Sequence, residues 1–91
     1  MRTIFKYKVS PGGHAGTELS IPLDGKVLSV GLDPLDDICV WAEVDTDLPT
    51  LDVQIICVGT GIPTPRPEGR FLGSVLDRGT YVWHFYVAGD E

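Results

Sequence analysis

Glycine and proline interrupt this chain so often that no segment is both long enough and correctly patterned for an amphipathic helix. The eleven glycines and seven prolines mostly fall in clusters. Between those clusters apolar and polar residues alternate with the period of two that a half-buried strand requires. A chain punctuated in this way buries apolar surface by pairing short strands.

Arg2 to Val9 sets Phe5, Tyr7 and Val9 on one side and Ile4, Lys6 and Lys8 on the other. The connection from Ser10 to Gly16 is glycine-rich and leaves His14 exposed. Thr17 to Leu23 predicts a second strand with Leu19, Ile21 and Leu23 on one face; Pro22 has no amide hydrogen, which assigns it to a sheet edge or a strand end. Asp24-Gly25 predicts a hairpin turn, with Lys26 to Leu32 as the return strand and Leu28, Val30 and Leu32 facing inward. Asp33 to Asp37 is a turn in which proline presets one dihedral and aspartates bond the backbone beyond them. From Ile38 onward, Ile38, Val40, Ala42 and Val44 share a face, which leaves Trp41 with Cys39 and Glu43 on the less apolar side.

After the polar loop Asp45 to Thr50, Leu51 to Val58 is almost continuously apolar and reads as a central strand covered on both faces. Gly59-Thr60-Gly61 stops it, and Ile62 to Gly69 holds three prolines that predict an extended, stiff loop. Phe71 to Asp77 and Tyr81 to Ala88 predict a hairpin bent at Asp77-Arg78-Gly79. Its last strand carries Tyr81, Trp83, Phe85 and Val87 on one face, and Val82, His84, Tyr86 and Ala88 on the other. The fold class is all-β: a single small antiparallel β-sandwich or partly closed barrel of about seven short strands. At 91 residues the chain suffices for one domain, 1–91, because a chain of this size buries only about two-thirds of its unfolded surface.

Thirteen acidic against seven basic side chains give a formal charge of -6. That balance disfavours phosphate backbones and anionic lipid, so neither direct nucleic-acid binding nor membrane binding is expected. The carboxylates sit mostly in turns and lack the regular spacing of a nucleic-acid mimic. Cys39 and Cys57 lie in apolar runs without metal-ligand spacing and read as buried free thiols; a disulfide would require neighbouring strands. The first ten residues alternate and have no continuous apolar secretion core, and no run reaches membrane-spanning length, so the expected location is a cytoplasm.

The segments Met1 to Tyr7, Lys26 to Val30, Trp41 to Asp45, Val58 to Gly61 and Val82-Trp83-His84 together resemble a family of small proteins of unknown function found in phages and prophages. The resemblance spans nearly the whole chain. It implies a viral or prophage accessory origin, which would make the expected cytoplasm that of a host, and brings no activity, ligand or catalytic residue with it.

The Gly59-Thr60-Gly61 corner could offer backbone N–H groups to an anion, with Arg66 and Arg70 adding charge. It lacks the lysine of a phosphate loop and no helix follows, so a plain strand-ending turn is the competing reading. Trp83, His84 and Tyr86 complete the candidate ligand-binding set, stacking a flat ligand or carrying an interface. His84 has no partner in sequence that would make it a catalytic base. The expectation is a non-enzymatic binding module without cofactor or metal, forming a homo-oligomer. It would act in counter-defence by sequestering a nucleotide-like small molecule or holding a host protein. The alternative is a structural virion protein, decorating a capsid or associated with a tail.

Overall fold

The computed structural model describes residues 1–11, 16–63 and 69–88. Among these residues it contains seven strands and no helix: β1 (Arg2–Lys8), β2 (Thr17–Pro22), β3 (Lys26–Leu32), β4 (Ile38–Asp45), β5 (Thr50–Gly59), β6 (Gly69–Asp77) and β7 (Tyr81–Ala88). They form a three-stranded sheet in the order β1-β4-β3 and a four-stranded sheet in the order β2-β5-β7-β6. All pairings are antiparallel, and the sheets face each other as a sandwich rather than closing into a barrel. His14 and residues 64–68 of the proline loop lie outside the described residues.

The core forms where the two inward faces meet. On β4 the expected alternation holds, with Val40, Ala42 and Val44 fully buried. Opposite them stand Leu19 and Ile21 of β2, Ile55 and Cys57 of β5, Val75 of β6, and Phe85 and Val87 of β7. β5 and β7 are the inner strands of their sheet, as their apolar sequences require. β5 is covered on both faces only in its second half: Ile55, Cys57 and Val58 are buried, whereas Leu51 is exposed. Cys39 and Cys57 are buried on strands of different sheets and do not bond to each other.

The Asp24-Gly25 expectation is corrected. β2 pairs with β5 and β3 with β4, so this turn carries the chain from one sheet to the other instead of closing a hairpin. A two-residue hairpin turn on Asp-Gly needs positive φ at both residues, but only Asp24 has it, at 64°. The turn begins a residue earlier than a hairpin would, with the Gly25 N–H donating to Pro22 O at 2.9 Å. Gly25 is required for close approach: a Cβ there would stand 2.6 Å from Ile21 Cγ2 and 2.8 Å from Pro22 O.

Leu28 is also corrected, from core to surface. Val27 opposes Ala42 and Ser29 opposes Trp41, so Leu28 is the extra residue of a bulge and turns outward while Val27 is buried. Leu23, beyond the end of β2, and Leu32, the last residue of β3, are likewise exposed rather than inward. β6 has a matching bulge at Leu72, and β3 and β6 are edge strands lying against each other. There Val30 packs where a side chain on Gly73 would reach to 3.0 Å.

Outside the core, the Asp33 carboxylate organises the β3–β4 turn and is almost wholly buried. Its Oδ1 accepts the N–H groups of Leu35 and Asp37, each at 2.9 Å, and its Oδ2 accepts Lys6 Nζ at 2.8 Å and the Cys39 thiol at 3.8 Å. The Lys6 hydrogen bond, then the backbone donors, hold its pKa down to about 2. Burial raises the Cys39 pKa, which keeps it a thiol at neutral pH. Trp41, half-buried on the outer face of the three-stranded sheet, lies beside Gly31.

Two outcomes are expected. Gly25→Ala should lower unfolding free energy by about 1–3 kcal/mol in urea titrations, since the Pro22 carbonyl that the new Cβ would meet is backbone and cannot swing aside. The Asp33 contribution is fully present above the ordinary carboxylate pKa of about 4 and is lost as pH falls toward about 2. Urea midpoints of wild type and Asp33→Asn should therefore differ at pH 6 and converge between pH 4 and pH 2; a constant difference would exclude this origin.

Candidate functional site

β5 runs antiparallel to β7 with Gly59 opposite Trp83, so the end of β5 meets the start of β7 beside the β6–β7 turn. That turn is tight, with Arg78 at φ 53° and Gly79 at φ 70°, and the Thr80 N–H donating to Asp77 O at 3.0 Å. The two-residue period then projects Tyr81 and Trp83 from the same face. Their ring centroids lie 5.9 Å apart with planes tilted by 35°. Trp83 Nε1 donates to Asp77 Oδ2 at 3.2 Å, which fixes the indole. Gly59 makes room for it, since a Cβ there would stand 3.1 Å from Trp83 Cζ3.

The result is a cleft of about 470 Å³ lined by Gly59, Thr60, Ile62, Thr80, Tyr81, Val82 and Trp83. Its size falls in the range of small-molecule sites, and aromatic walls with a few hydroxyls are the usual construction of one. Of the residues singled out from sequence, Gly59, Thr60 and Trp83 come together here. Gly61, at φ 85°, shapes the turn next to the cleft. The corner is poorly suited to an anion, because the Thr60 N–H donates to Val82 O at 3.3 Å and the Ile62 N–H to Gly59 O at 3.1 Å.

His84 lies on the opposite face of β7 and joins the cleft indirectly. Its Nε2 is 2.7 Å from Thr60 Oγ1 and its Nδ1 is 2.7 Å from Ser74 Oγ. One proton arrangement satisfies the whole chain: Ser74 donates to Nδ1, Nε2–H donates to Thr60, and the Thr60 hydroxyl donates to Val82 O at 3.4 Å. This arrangement ties the loop after β5 to the sheet, with hydroxyls rather than a carboxylate on both sides of the imidazole.

Arg70 and Tyr86 are elsewhere. Arg70 opposes Val87, at the far end of β7 from Trp83, and its Nη2 donates to Val27 O at 2.9 Å. Tyr86 packs edge-to-face on Phe71, with centroids 5.4 Å apart, on the outer face of the four-stranded sheet. Arg66 lies outside the described residues. Sequence reading left Ile62, Thr80, Tyr81 and Val82 out of the candidate site. The shared face of Tyr81 and Trp83 was the available signal; the proximity of Ile62 depends on the β5–β7 pairing, which sequence does not reveal. Among the described residues no three His, Cys, Asp or Glu side chains gather as a metal site, and no helix is long and apolar enough to cross a membrane.

Fold and clefts define a two-sheet antiparallel sandwich with a ligand-sized aromatic cleft at one end of its larger sheet. The family model described as a domain of unknown function, DUF7352, matches residues 1–91, and the chain belongs to that family. No curated protein and no solved structure matches it.

If the hydroxyl chain fixes the cleft, His84→Phe should leave the fold intact by circular dichroism. It should raise amide hydrogen exchange at Thr60 and Ile62 by about fivefold or more, the loss of about 1 kcal/mol of hydrogen bonding.

Proposed function

We propose that this protein is a non-enzymatic binding module that takes a planar, nucleobase-like small molecule into the cleft between the β5 end and the β6–β7 turn. The observation that carries this reading is the Tyr81–Trp83 wedge, tilted open and bordered by Thr60 and Thr80. Stacking on an aromatic ring is worth about 1–3 kcal/mol per base and needs only a π-face. The ligand's ring carries the affinity, because Arg70 is at the other end of β7 and Arg78 at the turn is paired with Asp77 at 3.7 Å.

The phage or prophage accessory origin rests on the sequence resemblance, and action in counter-defence in a host cytoplasm is part of the same proposal. Self-association draws on a different surface, the outer face of the four-stranded sheet, where Phe71 and Leu76 are exposed. The same face supports the second reading, a virion component that assembles on other subunits, and host-protein binding would use it too.

Calorimetric titration with adenosine, guanosine, cytidine and their monophosphates tests the first reading. Binding should be seen with quenching of tryptophan fluorescence, and Tyr81→Ala, at an exposed position, should weaken it about tenfold. Equal binding by Tyr81→Ala, or no binding of any of these compounds at millimolar concentration, would overturn it. Sedimentation of Leu76→Glu beside wild type reads self-association separately.

A further inference from the structure

A second cleft, of about 490 Å³, opens at the end of the sandwich where β2 turns into β3. It is distinct from the Tyr81–Trp83 cleft. Its floor is core: Ile21, Val27 and Val87 are buried. Its rim is apolar as well, with Leu23 and Leu51 left 39% and 56% exposed. Lys26 and Arg70 also line it, with Asp24 the single carboxylate among its lining residues.

The pairing of charges across the surface gives those two cations meaning. Arg2 pairs with Glu43, Lys6 with Asp33, Lys8 with Asp37 and Arg78 with Asp77. Lys26 and Arg70 have no carboxylate partner among the described residues, in a chain whose net charge is -6. Both unpaired cations line the same apolar cleft. Arg70 is also oriented, because its Nη2 donates to Val27 O at 2.9 Å across the gap between the sheets, which spends one N–H of a group that has five. An apolar floor, an exposed leucine rim and unpaired cations beside it complement a molecule with the opposite arrangement, a hydrocarbon body ending in one negative group.

We propose that this cleft binds an amphipathic carboxylate, its hydrocarbon part lying over Ile21, Val27 and Val87 and its carboxylate meeting Arg70 and Lys26. Leu23 and Leu51 then cover the hydrocarbon where it leaves the floor. Charge-assisted hydrogen bonds from a guanidinium supply the preference for the anion over a neutral molecule of the same length.

Decanoate below its micellar concentration and decanol below its solubility limit are the probes, with amide chemical shifts of the ¹⁵N-labelled full chain as readout. Decanoate should shift Ile21, Val27 and Val87, and decanol should bind about tenfold more weakly. Lys26→Gln should narrow that difference. Leu51→Glu, at an exposed position, should suppress decanoate binding far more than decanol binding. Equal affinity of the two probes, shifts confined to other regions, no binding of decanoate, or Leu51→Glu without effect would each overturn the proposal. Adenosine should leave decanoate binding unchanged, so failure at one cleft does not decide the other.

Discussion

Each sheet of this protein has a face that only the other sheet can cover, and every other feature follows from that dependence. Val40, Ala42 and Val44 on one side and Ile55, Phe85 and Val87 on the other form one cluster with almost no exposed surface. Burying a valine, isoleucine or phenylalanine side chain to this degree is worth about 1.5–3 kcal/mol. The chain interleaves the two layers to obtain it. β1, β3 and β4 go to one sheet and β2, β5, β6 and β7 to the other, so connections must cross the core edge. The Gly25 corner is one such crossing, where backbone and Ile21 approach too closely for any side chain.

Edges receive less protection than the core and show how the sandwich is finished. β3 and β6 meet along one side with a bulge in each, and a bulge twists an edge strand away from further pairing. The Arg70 bond to Val27 O and the packing of Val30 at Gly73 close that side. Near the β2–β3 corner the sheets are not sealed, and the second cleft lies there. The aromatic cleft arises differently, where β5 ends and the chain turns away from β7 while Tyr81 and Trp83 continue the strand's pattern. Both sites thus lie at strand ends, where sheet pairing stops but apolar side chains persist.

Much of this was legible in the sequence because strand patterning is local. The alternation from Ile38 to Val44, the hairpin around Arg78-Gly79 and the inner positions of β5 and β7 could be read from side-chain period and turn chemistry. Asp24-Gly25 could not, because the dipeptide supports several turns and the choice was made by pairing of β2 with β5. Leu28 misled because a bulge shifts the period by one residue without a signature in composition. In the candidate site, Gly59 and Trp83 were read separately, as an anion corner and a stacking ring; pairing makes the glycine a seat for the indole. Arg70 was grouped with that corner by sequence proximity, yet the antiparallel path of β6 takes it to the opposite end of β7.

The interleaving of the layers also bears on how the chain acquires its structure during synthesis. By the time Asp45 has left the ribosome, β1, β3 and β4 are all available to pair, and β4 can already sit between its neighbours. The face carrying Val40, Ala42 and Val44 would then have only Leu19 and Ile21 of β2 to cover it, because Ile55, Phe85 and Val87 have not yet emerged. A nascent chain of this protein passes through an interval in which its most apolar surface is complete and largely open. A holding chaperone is most useful during that interval, which closes only when β7, the last strand, is added.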